Sequence, residues 1–117
     1  MAKSQQGGKT ALDLYINEIK SIEPLDPIEE VKLAQLSKKG DQDAFNKLIT
    51  HNLRFVVAVA KKFQHHSIPL EDLINEGNLG LIKAVDKFDE TRGFKFISYA
   101  VWWISQSIRQ AISKTGR

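Results

Sequence analysis

The apolar positions in the last part of the chain repeat with the period of an α-helix. One stripe has the spacing of a face that packs on a core, and it consists of Ile97, Val101, Ile104, Ile108, Ala111 and Ile112. The opposite side of the same helix collects aromatic, amide and basic residues, namely Tyr99, Trp102, Trp103, Gln106, Arg109, Gln110 and Ser113. The pattern therefore predicts a helix that packs through its aliphatic stripe and places both tryptophans elsewhere.

Helical periods also fill the first part of the chain. A short amphipathic helix is predicted from Leu12 to a point before Pro24, and a second from Pro27 to about Lys39. Asp26 has the position of an N-cap, because it directly precedes a proline at the first helical position.

The third predicted helix starts near Asp41 or Asp43 and continues through Phe63. Its apolar residues hold i, i+3, i+4 spacing over roughly 22 residues, which is beyond the usual length of a strand. We expect this helix to be the longest and to form the centre of the core.

A fourth helix is predicted to open at Pro69. One of its faces carries Leu73, Ile74, Gly77, Leu81, Ala84, Val85 and Phe88, and the other carries Asp72, Asn75, Glu76, Leu79 and Lys83. A glycine costs about 1 kcal/mol relative to alanine inside a helix, so two glycines on or near the packed face indicate a close helix crossing. The stretch from Asp89 to Gly93 predicts a turn into the last helix.

No segment shows a convincing strand pattern. The predicted fold is all-α, a compact bundle of about five helices in one domain that spans residues 10–117. Residues 1–9 contain Gly, Ser, Gln and Lys without periodicity, which predicts a disordered N-terminal tail.

Composition places this domain in a reducing, aqueous compartment. The chain has no cysteine, no hydrophobic signal segment at its start, and no apolar run near the ~18 residues that a membrane span needs. We expect a cytoplasmic protein without a membrane partner.

The charges are distributed unevenly. The formal net charge is only +3, but all fourteen acidic residues precede Thr91. The charged residues of the aromatic segment from Thr91 onward are therefore all cationic. Basic and aromatic residues on one surface favour nucleic acid, because phosphates bind the charges and bases stack on the rings.

Nothing in the sequence has the pattern of a metal site or of a catalytic centre. His65 and His66 are adjacent and point to different faces, and His51 has no partner at i+4. There is no glycine-rich phosphate loop and no nucleophile motif. We predict no enzyme activity, no cofactor, no metal and no small-molecule substrate.

Two interpretations of the aromatic segment remain open at this point. Aromatic residues at helical spacing usually complete a core, and at least one of the phenylalanines is expected to do so. The aliphatic stripe already supplies a core face, however, and Gln106, Arg109 and Gln110 share the tryptophan side, where amides and guanidinium groups can read bases.

The polar face of the fourth helix also has two possible interpretations. Asp72, Asn75 and Glu76 form either a solvated surface or a protein-binding patch. Leu79 gives some support to the patch, because it sets an apolar side chain in the middle of the polar face.

Three segments resemble a known family. NLRFVVAVAKKF at 52–63, DLINEGNLGLIKAVDKFD at 72–89 and RGFKFISYAVWWISQSI at 92–108 are similar to the central domain of bacterial RNA polymerase sigma factors of the sigma-70 family. The resemblance extends from about Ala11, from region 1.2 through region 2.4, and the pattern is that of primary or primary-like members. It includes no counterpart of the family's domains that read the extended -10 and -35 elements.

The resemblance implies partners and sites. The acidic helix would dock on the clamp coiled coil of the polymerase β′ subunit through Asp72, Asn75, Glu76 and Leu79. An anti-sigma factor is a further partner that the family implies. The first helix, from Leu12, would approach the discriminator bases downstream of the -10 element.

The resemblance also implies a set of DNA contacts. A flipped non-template adenine would enter a pocket of Phe88, Arg92, Phe94, Lys95, Tyr99 and Trp102. A flipped thymine would lie near Asn52, Phe55, Lys95 and Ser98. Trp103 would hold the upstream fork, and Gln106 with Arg109 would read the duplex edge.

This sequence departs from the family pattern at two positions on the aromatic helix. Ser105 stands where the family commonly has an arginine, and Arg109 where primary members often have a smaller polar residue. The function that the sequence favours is a sigma factor domain that binds core RNA polymerase and recognises and melts the promoter -10 element. The alternative is a helical interaction module that binds the polymerase clamp without reading DNA.

Overall fold

The computed structural model describes residues 10–64 and 67–115, with the side chain of residue 115 left aside. The tail predicted for residues 1–9, together with His65 and His66, lies outside these described residues. Within them the chain forms six helices and no strand: α1 (Ala11–Lys20), α2 (Pro27–Lys38), α3 (Gln42–Thr50), α4 (Leu53–Lys62), α5 (Leu70–Lys87) and α6 (Phe96–Thr115). A short 3-10 turn, Glu90–Arg92, joins α5 to α6. The all-α prediction is confirmed.

The single long helix predicted through Phe63 is wrong, because the chain breaks between α3 and α4. Asn52 leaves helical geometry, with φ -112° and ψ 2°, and its Nδ2 donates a hydrogen bond to the Leu48 carbonyl at 2.8 Å. A short polar side chain that bonds nearby backbone offers the chain an alternative to the helical ladder. The bundle therefore has six helices where about five were expected.

Helix starts follow the local signals in the sequence. Asp26 Oδ1 accepts from the Glu29 N–H at 2.8 Å, and Asp41 Oδ1 accepts from the Ala44 N–H at 3.0 Å. Each such N-cap is worth about 1 kcal/mol, because it satisfies a donor that the first turn leaves without a partner. Both predicted caps are confirmed, with Asp41 rather than Asp43 opening α3.

The most extensive packing in the bundle joins α5 to α6. A Cβ placed on Gly80 would lie 2.5 Å from the Trp103 carbonyl oxygen and 2.8 Å from the Ile104 Cα. One turn earlier, a Cβ on Gly77 would lie 2.7 Å from Val56 Cγ1. Glycine is thus required for the two backbones to touch, which confirms the predicted close crossing.

The core face of α6 is rotated from the predicted stripe. Phe96, Ala100 and Ile104 are buried together with Ser107 and Ile108, whereas Val101 is exposed. The small side chain of Ser107 lies at the contact with Gly80 and lets α6 approach α5, and Ala100 takes the buried place that hydrophobicity alone assigned to Val101.

The rotation also changes the position of one tryptophan. Trp103 is half-buried and packs against the core, while Trp102 is 55% exposed. The prediction that both tryptophans lie away from the core is right for Trp102 and wrong for Trp103. Among the described residues, no helix combines the length and apolar character needed to cross a bilayer.

Candidate nucleic-acid interface

A cluster of aromatic rings surrounds the turn between α5 and α6. Phe94 is 43% exposed and stacks on Tyr99, with ring centroids 5.7 Å apart and planes 24° apart. Phe88 lies beneath both rings, with its centroid 6.1 Å from that of Phe94 and 5.8 Å from that of Tyr99. Phe96 completes the underside of the cluster, with its ring centroid 5.1 Å from that of Phe88. The buried pair therefore supports an outer pair whose planar faces are available to bases.

The turn itself is shaped by two local features. Asp89 Oδ1 accepts hydrogen bonds from the Thr91 hydroxyl at 2.6 Å and the Thr91 N–H at 3.0 Å, and these bonds lower the pKa of Asp89. Gly93 then takes a left-handed conformation with φ 85°, which a residue with a Cβ rarely adopts. Together they reverse the chain and present Phe94 in front of α6.

Two contacts connect the turn to the rest of the bundle. Lys38 Nζ at the end of α2 lies 3.4 Å from Glu90 Oε1, and the Glu90 side chain is largely shielded from solvent. The Tyr99 hydroxyl donates to the Lys87 carbonyl oxygen at 3.3 Å. The aromatic pair is thus held from α2 on one side and from the end of α5 on the other.

The two tryptophans extend the aromatic surface along α6. Their rings meet edge to face at 5.1 Å and 88°, and Trp103 also meets Tyr99 at 6.3 Å. The indole N–H of Trp103 is buried without a hydrogen-bond partner, an uncommon condition for a buried donor. Trp102 presents the larger free face, and Trp103 backs it against the core.

Basic and amide side chains flank this surface. Arg92 and Lys95 are exposed beside Phe94, and Gln106 and Arg109 follow Trp102 on the outer side of α6. Arg109 Cζ lies 5.7 Å from the centroid of the Phe63 ring, at the end of α4. Arg92, Lys95 and Arg109 thus supply positive charge along this surface, while Asp89 and Glu90 lie within the turn itself.

A buried carboxyl that the sequence analysis missed lies next to the aromatic turn. Glu30 is only 8% exposed, and burial raises its pKa, while a hydrogen bond with Asn52 and the charge of Lys95 act in the opposite direction. A cavity of about 160 Å³ is lined by Glu30 and Lys95 together with Phe94 and Phe96. The spacing of Glu30 in the sequence is a signal of its burial, because Glu30 precedes the buried Leu33 and Ala34 by one helical turn.

The predicted DNA contacts fall into two groups by accessibility. The accessible or partly accessible group follows the turn and the outer side of α6: Arg92, Phe94, Lys95, Ser98, Tyr99, Trp102, Trp103, Gln106 and Arg109. Phe55 is half-buried on α4, and Asn52 and Phe88 are each 1% exposed. A base could touch these last two only after neighbouring side chains move.

A second surface lies on the outer face of α5. Asp72 and Asn75 are exposed and Glu76 is half-buried, while Leu79 is 54% exposed. Ile82, which the sequence analysis did not include, is also exposed and continues the apolar part of the face by one turn. A groove of about 350 Å³ runs from Glu76 past both apolar side chains to the last turns of α6. Apolar side chains with a polar rim are typical of a protein-binding surface.

Comparison with known families matches residues 48–117 to the family described as Sigma-70 region 2 and residues 11–43 to Sigma-70 factor, region 1.2. The chain is 51% identical over 104 residues to RNA polymerase sigma factor SigA of Clostridium acetobutylicum. It is 46% identical over 104 residues to RNA polymerase sigma factor SigA of a Bacillus species. Each match covers 89% of this chain and 28% of the relative, so the chain spans less than a third of the length of these curated relatives.

Proposed function

The chain belongs to the sigma-70 family, and from this premise we propose that it acts in transcription initiation by binding core RNA polymerase and recognising the promoter -10 element. The observation that carries the proposal is the aromatic surface of the turn and α6, exposed at Phe94 and Trp102 and flanked by the basic residues Arg92, Lys95 and Arg109. An exposed surface of this kind binds single-stranded nucleic acid by stacking and charge neutralisation.

On this proposal a flipped non-template adenine stacks against the Phe94 and Tyr99 pair. Arg92 and Lys95 neutralise the adjoining phosphates, Trp102 borders the base, and Phe88 supports the pair from below. The turn geometry favours this arrangement because the stacked pair is already formed without DNA. Preformed stacking partners reduce the ordering cost of binding.

A second base, a thymine, is proposed to bind near the cavity beside the turn. Asn52, Phe55 and Ser98 are its proposed neighbours, with Lys95 between the two bases. The Oδ1 of Asn52 is buried without a hydrogen-bond partner, and the nearby Glu30 carboxyl offers further acceptor oxygens. A base with a donor group on its edge could bond these acceptors once the side chains that cover Asn52 move aside.

The upstream fork is proposed to rest on the tryptophans. Trp102 carries the free ring face that can stack on the last base pair, and Trp103 fixes it from the core side. Gln106 and Arg109 then face paired DNA.

Capture of bases can balance the cost of opening the duplex. Flipping a base costs a few kcal/mol, and stacking on an aromatic side chain returns about 1–3 kcal/mol per base. Two captured bases and the neutralised phosphates are therefore comparable with the cost of opening an A·T-rich element, with core polymerase contributing the remainder.

The outer face of α5 is proposed to dock on the clamp coiled coil of the β′ subunit. Asp72, Asn75 and Glu76 supply polar and acidic groups, and Leu79 supplies the apolar centre. Acidic side chains around an apolar contact favour a basic helical partner.

The DNA half of the proposal is tested by fluorescence anisotropy with a non-template -10 oligonucleotide, in the presence of the β′ coiled coil. Trp102→Ala is expected to weaken binding by about 5- to 150-fold, the equivalent of one stacked base. Unchanged binding by both Trp102→Ala and Trp103→Ala, with clamp binding intact, would contradict promoter reading.

The polymerase half is tested separately by a pull-down with the β′ coiled coil. Glu76→Lys reverses a charge at the centre of the proposed contact and is expected to reduce clamp binding by at least several-fold. Glu71→Lys, an equal charge reversal at an exposed position about 140° around α5 from Glu76, is the control. Equal retention of Glu76→Lys and the unsubstituted chain would remove the clamp assignment.

A second candidate function follows from the groove beside Leu79 and Ile82. This groove exposes Leu79 and Ile82 within a polar rim, apart from the aromatic surface, so a helical interaction module that binds the clamp without reading DNA would use the same face. The two candidates separate in the assays above, because only promoter recognition requires oligonucleotide binding to depend on Trp102.

A further inference from the structure

Arg109 is held over the ring of Phe63, where α4 ends beside α6. The distance from Cζ to the ring centroid is 5.7 Å, within the roughly 6 Å range of a cation–π contact. Phe63 is half-buried and packs against the core, so its ring is a fixed platform, while Arg109 is exposed. The guanidinium group is therefore positioned at the surface before any ligand arrives.

The donors of this guanidinium group remain available. Stacking uses its flat face and leaves the N–H groups free at the edge. The ion pairs recorded among residues 10–64 and 67–115 involve Lys38 and Lys47. Within that part of the chain no carboxylate pairs with Arg109, whose donors are thus presented to an external acceptor.

Arg109 also has a defined place relative to the aromatic surface. It follows Gln106 by one turn and Trp102 by two turns on the outer side of α6. At 1.5 Å per residue, Trp102 and Arg109 are about 10 Å apart along the helix. If Trp102 borders the fork, Arg109 lies beyond it, over paired DNA.

We propose that Arg109, positioned by Phe63, makes this chain select guanine in the base pair at the duplex edge of the fork. The inference rests on the proposed promoter recognition and adds a base preference to it. Guanine offers two acceptors, O6 and N7, in the major groove, and arginine bonds both at once. Adenine offers N7 beside an N6 donor that opposes the second N–H, and thymine offers a single O4 acceptor.

The experiment measures binding of the chain with core RNA polymerase to fork DNA. The duplex part ends in T·A, A·T, G·C or C·G, and the downstream non-template -10 strand is constant. We expect the best guanine-containing fork to bind about 5- to 150-fold more tightly than the T·A fork. Replacing that guanine by 7-deazaguanine removes the N7 acceptor and is expected to abolish most of the gain.

Substitutions assign the preference to Arg109. Arg109→Ala, at an exposed position, is expected to bind all four forks alike, and Phe63→Leu is expected to reduce the guanine preference by removing the platform. Lys62→Ala is the matched control, because it deletes an exposed neighbouring cation. It is expected to lower affinity for every fork alike and to leave the ratio unchanged.

Three outcomes overturn the inference. These are equal binding of all four forks by the unsubstituted chain, a preference for T·A, and a guanine preference that survives Arg109→Ala. Failure of the proposed function gives a different result, in which no fork binds better than a scrambled strand and Trp102→Ala has no effect. That result also removes the inference, but at the level of DNA binding rather than of base preference.

Discussion

Glu30 is a carboxyl group enclosed between α2 and the start of α6. Desolvation disfavours its charged form, and Asp26 acts in the same direction, whereas Asn52 and Lys95 stabilise the carboxylate. The net effect raises the pKa above the ordinary 4.5. A raised pKa means that folding is favoured by the protonated form.

The sign of the resulting pH dependence follows from linkage. Below the ordinary pKa, Glu30 is protonated in both the folded and the unfolded states and carries no penalty. As the pH rises through the raised pKa, the folded chain must bury a charge and loses that stability.

Glu30→Gln keeps the shape and hydrogen-bonding groups but removes the charge. The free energy of unfolding of Glu30→Gln, relative to the unsubstituted chain, is therefore expected to increase from pH 4 to pH 7. Urea denaturation of both proteins at the two pH values measures this change. Glu18→Gln, at an exposed position on α1, is the control for the chemical change itself. This account would be contradicted if the difference in free energy of unfolding between Glu30→Gln and the unsubstituted chain stayed constant or fell as the pH rises.

The turn between α5 and α6 is the element that sets the position of the stacked rings. Its capping bonds are local, but the contact between Lys38 and Glu90 joins residues 52 positions apart in sequence. Most surface ion pairs contribute about 0–1 kcal/mol to stability, so this contact matters more for the position of the turn than for the fold.

Neutralising this pair is expected to weaken binding of the single-stranded -10 oligonucleotide. Lys38→Gln and Glu90→Gln should each reduce affinity by about 1.5- to 5-fold, equivalent to 0.2–1 kcal/mol, and should lower the melting temperature by no more than about 8 °C. Glu90→Gln is the more informative variant. Loss of a negative charge alone favours phosphate binding, so weaker binding by Glu90→Gln reports loss of positioning.

The chain provides a matched control in a second ion pair of the same length. Lys47 Nζ and Glu29 Oε2 are also 3.4 Å apart, but they join α3 to α2 away from the turn. Lys47→Gln removes one cation without releasing the turn and is expected to leave oligonucleotide affinity nearly unchanged. An equal loss of affinity in Lys47→Gln and Lys38→Gln would attribute the effect to net charge alone.

At the scale of the whole molecule, local signals in the sequence predict most of the fold. Helical period gives the class, and Asp26 and Asp41 mark helix starts because N-caps act within one turn. The break at Asn52 was missed because the apolar period continues through it, and only the bond to the Leu48 carbonyl distinguishes the two cases.

The sequence predicted those features of the candidate site that depend on residue type and helical spacing. It did not predict the burial of individual side chains, which depends on packing between helices. The exposed face of Trp102 followed from its place off the aliphatic stripe. The half-burial of Trp103 depends on tertiary packing, because Trp103 lies where the backbone of α6 meets Gly80 of α5. Glu30 was missed because a charged side chain is usually exposed, and its burial is decided by neighbours from α4 and α6.

The backbone contact at Gly80 joins α5 and α6 into one closely packed unit. The outer face of α5 and the aromatic side of α6 are separated there by two main chains in close contact, with only the small Ser107 side chain beside them. A partner that binds the outer face of α5 would therefore hold the aromatic surface at a defined position relative to itself.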